Sequence, residues 1–174
     1  MTELPIGLGV IGCGWAAGEI ARATTRLHAL RIVAAFDADP ARARSFADKT
    51  HARIASGIDD VLADPAVSTV YVGLPHYLLS PTVERALMAG KHVLAEKPLS
   101  LDAADARRLG RLAESNGLKL GVFYELRRSG TVSTAKRIFG DGEIGEPRLV
   151  RLRTIIDKRA DYWGAPGAPN WRAS

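Results

Sequence analysis

Cysteine is almost missing from this 174-residue sequence: Cys13 is the only one. No intrachain disulfide can form, and a four-cysteine zinc site is excluded. A reducing, cytoplasmic setting fits such a chain. Long apolar runs are also missing. No stretch approaches the roughly 18 residues of a membrane span, so no membrane partner is expected. Met1-Thr2-Glu3-Leu4-Pro5 has no basic stretch followed by an apolar run, so no secretory leader is expected. There is no repeat at a fixed period, no cluster of metal-ligating side chains, no nucleophilic triad and no P-loop lysine. His28, His51 and His92 are scattered and read as structural. What remains is ordinary globular material, with 47% hydrophobic and 25% charged residues. That balance excludes a disordered chain or a collagen-like fibre.

Charge of one sign is scarce except at one end. Residues 1–126 carry fourteen basic and fourteen acidic side chains, whereas residues 127–174 carry ten basic and five acidic. The entire net charge of +5 sits in the last quarter. A nucleic-acid binder spreads its basic residues over a face and interleaves stacking aromatics. This chain does neither, so no nucleic-acid partner is expected.

Apolar, β-branched runs alternate with helical patterns. Strands are predicted at Ile6–Ile11, Arg31–Phe36, Arg53–Ala55, Ser68–Gly73, His92–Ala95 and Leu118–Phe123. Helices are predicted at Trp15–Leu27, from Asp39-Pro40 to about Lys49, at Ile58–Ala63, from Ser80-Pro81 to Gly90, and from Ser100 or Asp102 to Gly117. This alternation predicts βαβ units and a doubly wound parallel sheet, a Rossmann-type α/β fold. The last quarter departs from it. Thr131–Phe139 reads as a helix, and Arg148–Ile156 as a long strand alternating like one with a wet face. The organisation expected is a dinucleotide-binding domain over residues 1–125 and the incomplete start of a second α/β domain over residues 126–174.

Two overlapping frames match G-x-G-x-x-[GA]: Gly7, Gly9, Gly12 and Gly12, Gly14, Ala17. The motif has meaning only after a strand and at the opening of a helix. Six residues including Pro5 precede Gly7, leaving no room for a buried strand. The second frame follows the apolar run and opens the helix that begins at Trp15. Gly12 would then make the tight turn, Gly14 would admit the pyrophosphate, and Ala17 would let the helix pack on the sheet. Asp37 ends the second strand 23 residues after Gly14, close to the spacing expected of a ribose-binding acid. A carboxylate there accepts from ribose hydroxyls and repels a 2′-phosphate. The cofactor expected is NAD, with NADP disfavoured. Arg42 and Arg44 on the next helix read as a solvated face.

Glu96-Lys97-Pro98 follows the fifth strand directly. Ligands of open parallel sheets lie beyond the carboxyl ends of strands. Lys97 is therefore placed to hold a substrate oxygen and move a proton as hydride transfers. At this point the sequence resembles the Gfo/Idh/MocA oxidoreductases, the family of glucose–fructose oxidoreductase and inositol dehydrogenase. The resemblance rests on Gly9-Val-Ile-Gly-Cys-Gly-Trp15, Val33-Ala-Ala-Phe-Asp-Ala-Asp-Pro40, Ala89-Gly-Lys-His-Val-Leu-Ala-Glu-Lys-Pro98 and Gly142-Glu-Ile-Gly-Glu-Pro-Arg148.

The resemblance implies an NAD(P)-binding Rossmann domain and a second domain with an open antiparallel sheet. It implies hydride transfer at a carbinol carbon of a sugar, polyol or related small molecule. It places Lys97 at the family's active-site lysine, with Glu96 and Pro98 completing the motif and a cis bond before Pro98. Trp15, Pro75 and His76 are implied neighbours of the cofactor, although Leu79 stands where relatives often have a second histidine. Arg127 is implied on the substrate side. The family's catalytic Asp and His follow a Trp-Arg pair like Trp171-Arg172, and the chain ends at Ser174. Turnover by this chain alone is therefore left open against a non-catalytic NAD-binding module or inactive fragment, and against a basic interaction module over residues 127–174. A homo-oligomer formed through the C-terminal strand is a further expectation.

Overall fold

The computed structural model describes residues 5–151, 153–158 and 162. It contains six strands: β1 Ile6–Ile11, β2 Leu30–Phe36, β3 Arg53–Ile54, β4 Thr69–Val72, β5 His92–Ala95 and β6 Leu120–Val122. Six α-helices accompany them: α1 Trp15–Thr24, α2 Pro40–Thr50, α3 Ile58–Ala63, α4 His76–Met88, α5 Ala103–Ser115 and α6 Gly130–Gly140. The strands form one sheet in the order β3-β2-β1-β4-β5-β6, with every neighbouring pair parallel. The order reverses between β1 and β4, and a doubly wound sheet opens its ligand crevice at such a switch point, beyond the carboxyl ends of the strands.

Two apolar clusters sandwich the sheet. One joins Ile11, Val70, Val72, Leu79, Val83, Leu87 and Leu109; the other joins Leu8, Val10, Ala17, Ile20, Ile32, Phe46 and Tyr71. Strands buried on both faces need continuous apolar runs, which is why β1 and β4 read as they do. Gly7 and Gly9 in β1 serve this packing. A Cβ at Gly7 would lie 1.7 Å from the Ala66 carbonyl oxygen, and one at Gly9 would lie 2.6 Å from Val61 Cγ1. The glycines of the rejected motif frame thus have a packing role.

Local signals explain the helix ends. Asp39 caps α2 by accepting from the N–H groups of Ala41 and Arg42, and Asp102 caps α5 through the Asp105 N–H. Most boundaries fall within a residue or two of the sequence reading, and the larger differences are these. α1 stops at Thr24, short of Leu27, and β6 is shorter than its apolar run. α4 begins at His76, and Pro81 lies inside it. Pro81 removes one backbone donor near the first turn, a loss that Leu79, Val83, Ala86 and Leu87, all buried at helical spacing, outweigh.

The chain divides into two compact units, Met1–Phe123 and Tyr124–Ser174. Within the second, a 3-10 turn at Glu125–Arg128 precedes α6, which Ser129 caps through the Val132 N–H. The expected strand at Arg148–Ile156 is not formed: residues 148–151 and 153–156 have no regular structure, with Leu152 outside the described residues. Alternating polarity marks a strand only when a neighbour completes the ladder, and none of the described residues supplies one. The Trp171-Arg172 pair lies outside the described residues.

Candidate functional site

The turn between β1 and α1 is built around close backbone approach. Gly12 has φ +91, a left-handed conformation that glycine adopts without strain. A Cβ there would also stand 2.3 Å from the Gly73 carbonyl oxygen. The Gly12 N–H donates to the Phe36 carbonyl at 2.8 Å, and the Gly73 N–H donates to the Ile11 carbonyl at 2.8 Å. Gly14 has a different reason to lack a side chain. Its backbone is ordinary, with φ −73, and a Cβ on it would meet nothing within 4 Å. The space beside Gly14 is open, at the N-terminus of α1, where unpaired N–H groups and the helix dipole favour an anion. Ala17 is buried against the sheet, whereas the Trp15 side chain is 82% exposed.

Asp37 faces this turn. Its Oδ2 accepts from the Cys13 N–H at 2.8 Å and its Oδ1 from the Asp39 N–H at 2.9 Å. Each oxygen keeps a lone pair, so the carboxylate is oriented without being exhausted as an acceptor. Burial, reinforced by the Asp37 charge, pushes the Cys13 thiol up to about 12, so it stays a neutral thiol. A cleft of about 720 Å³ opens between α1 and α2, lined by Cys13, Gly14, Trp15, Gly18, Arg22 and Arg42 among others. It takes in the glycine turn but stops short of Lys97. Arg42 pairs with Asp39 at 3.4 Å, in keeping with a solvated helix face.

Glu96, Lys97 and Pro98 leave the carboxyl end of β5, with the Lys97-Pro98 peptide cis as expected. Lys97 is exposed. The Glu96 carboxylate accepts from the Tyr71 hydroxyl at 3.0 Å and from the Lys97 N–H at 3.3 Å. Pro75 occupies the N-cap position of α4 without a side-chain cap bond and His76 is its first residue, so both stand just beyond the carboxyl end of β4. The strand order therefore carries Gly12, Gly14, Asp37, Pro75, His76, Glu96, Lys97 and Pro98 to one edge of a single sheet. Arg127 belongs to the second unit, where its guanidinium stacks over the Tyr124 ring at 4.9 Å.

Two contacts escaped the sequence reading, the first at the opposite, amino ends of the strands. Lys91 looks like a surface lysine, yet its Nζ donates to the carbonyls of Asp64 at 3.0 Å and Val67 at 2.6 Å. It clasps the loop between α3 and β4. The second is the Tyr71–Glu96 pair. A phenol inside the otherwise apolar run Thr-Val-Tyr-Val was its signal, because a buried hydroxyl must find a partner. Among the described residues no group of three or more His, Cys, Asp or Glu side chains converges as a metal site. No helix among them is long and apolar enough to cross a membrane.

Comparison with known proteins agrees with this fold. Residues 6–124 match the family described as "Oxidoreductase family, NAD-binding Rossmann fold". Over 145 residues the chain is 35% identical to the dTDP-3,4-didehydro-2,6-dideoxy-alpha-D-glucose 3-reductase of Saccharopolyspora spinosa, covering 83% of this chain and 44% of that protein. A 3-ketoreductase from Actinomadura kijaniata, solved with NADP and TDP-benzene, superposes with TM-score 0.75 at 32% identity, covering 79% of this chain and 43% of that one. The WlbA dehydrogenase from Chromobacterium violaceum, solved with NADH and UDP-GlcNAcA, gives TM-score 0.78 at 25% identity over 83% of this chain and 42% of that one. The chain thus spans less than half the length of each of these relatives. The family match spans more than half of the chain, and the chain belongs to the Gfo/Idh/MocA family of oxidoreductases.

Proposed function

We propose that this chain is the cofactor-binding portion of an NAD-dependent dehydrogenase or reductase acting at a carbinol carbon of a sugar, polyol or related small molecule. The observation that carries the reading is the placement of the Gly12–Gly14 turn, Asp37 and Lys97 along one edge of the sheet, beyond the ends of β1, β2 and β5. The N–H groups opening α1 hold the pyrophosphate in the free space beside Gly14. Asp37 accepts from the ribose hydroxyls and disfavours a 2′-phosphate, which favours NAD over NADP. One of the relatives above was solved with NADP, so this preference is a property of Asp37 and not of the family. When bound, the nicotinamide supplies or accepts the hydride. Lys97 binds the substrate oxygen and passes a proton to or from it. Pro75 and His76 border the cofactor at the switch point, Trp15 opens the phosphate-binding helix, and Arg127 serves the substrate side. The relatives named above act on or were solved with nucleotide-linked sugars or an analogue, which supports a sugar-derived substrate.

A fluorescence titration of the 174-residue chain with NADH and, in parallel, NADPH tests the first half of this reading. Micromolar NADH binding with weaker NADPH binding is expected, and Gly14→Val should weaken NADH binding at least tenfold. Equal or tighter NADPH binding would remove the role given to Asp37. Gly14→Val binding like the parent chain would remove the phosphate site. In a version carrying the whole substrate domain, Lys97→Ala should lower turnover by orders of magnitude.

A further inference from the structure

The reading above leaves the buried phenol of Tyr71 without a task. Tyr71 lies in the middle of β4, wholly buried with Leu8, Val10, Ala17 and Ile20 around it. Its register partner on β5 is Leu94, so Glu96 stands two residues further along the same face of the neighbouring strand. From there Glu96 Oε1 accepts the Tyr71 hydroxyl at 3.0 Å. Burial, and then the Glu96 charge, push ionisation of the phenol far above its ordinary range, in keeping with its role as the donor to Glu96. The second Glu96 oxygen accepts the Lys97 N–H at 3.3 Å, and the Glu96 N–H donates to the Val72 carbonyl at 2.9 Å. On its other side the Tyr71 ring rests against Gly73, where a Cβ would lie 2.8 Å from the ring edge. The Gly73 carbonyl in turn fills the place that a side chain at Gly12 would need.

We propose that Tyr71 is a positioning residue: its buried hydroxyl fixes the Glu96 carboxylate and, through it, the backbone at Lys97, while its ring holds Gly73 against the cofactor turn. The inference rests on the role given to Lys97 above. A tyrosine that only filled the core would be replaced by phenylalanine without local consequence. Here the hydroxyl is what matters.

Tyr71→Phe keeps the ring and removes one atom. In the 174-residue chain it should leave the thermal midpoint near that of the parent but speed amide hydrogen exchange at Lys97 about fivefold, the worth of one net hydrogen bond. The amides of Val70 and Val72 should change less than about twofold. NADH binding should weaken several-fold. In Glu96→Gln the one side-chain oxygen that accepts the Tyr71 hydroxyl leaves an NH2 donor facing the Lys97 N–H, so Lys97 protection should fall about as far as in Tyr71→Phe, and the double variant should add little to it. Unchanged exchange at Lys97 in Tyr71→Phe, or an equal loss across β4 and β5, would overturn the proposal. The exchange measurement needs no cofactor. A parent chain that failed to bind NADH would count against the cofactor reading, while the exchange result would still decide the role of Tyr71.

Discussion

Helices α5 and α6 begin alike and end differently. Each opens with an oxygen-bearing cap, Asp102 in one and Ser129 in the other, and they run 13 and 11 residues. α5 buries Leu109 and Ala113 under the sheet edge, whereas α6 buries no residue. The same contrast separates the two units. The first has apolar clusters on both faces of a sheet, while in the second none of the described residues is buried and Leu126, Leu149, Ile155 and Ile156 stand exposed. Caps and amphipathic spacing suffice to define a helix. They do not supply the packing from which most helical stability in proteins comes.

The sharpest way to break this comparison is a pair of truncations. Leu109→Ala should destabilise the chain by about 2–5 kcal/mol, because it empties a filled site. Phe139→Ala on α6 should change it by less than about 0.5 kcal/mol. Urea unfolding curves read both, and a cost at Phe139 approaching that at Leu109 would show that α6 shares the core.

A smaller effect concerns the acid limb. Arg53 on β3 bonds to Asp60 and Asp64, and with the Ser56 N–H it holds the Asp60 carboxyl at about 2, with Asp64 also below its usual range. A carboxylate whose folded pKa is depressed lends stability above its unfolded value, near 4, and loses it as pH falls toward 2. The thermal midpoint should therefore fall between pH 5 and 2, and Arg53→Ala should make that fall shallower. An identical slope would mean that these exposed ion pairs contribute nothing measurable.

A separate effect, at alkaline pH, concerns Cys13. With its thiol raised to about 12, the folded chain keeps this proton between about pH 9 and 12 while the unfolded chain loses it, so stability declines across that window. At pH 8, iodoacetamide should modify the folded chain far more slowly than the urea-unfolded one. Equal rates would show that the turn beside Asp37 opens readily.

The order of strands and helices was legible because buried parallel strands leave continuous apolar runs that caps and glycines punctuate. Ile6–Ile11 and His92–Ala95 fall where the pattern puts them. The start of α4 was misplaced by five residues because Ser80-Pro81 carries the same start signal as Asp39-Pro40, and only burial tells them apart. Leu79, ahead of the proline, is buried, whereas Asp39 is exposed. Arg148–Ile156 failed in the opposite way, since its alternation describes a strand for which the described residues hold no neighbour. The candidate site was legible as separate motifs. The hydrogen bonds linking them were not, because Tyr71 and Glu96 lie 25 positions apart and meet only through the β4–β5 register.

Gly73 gives the molecule a gauge. Bare backbone at that position separates a turn on one side from an aromatic ring on the other, and neither tolerates an added carbon. The spacing between the β1 turn and the β5 end is thus fixed by the thickness of a peptide rather than by an adjustable side chain. Drift in either half of the site must be matched in the other.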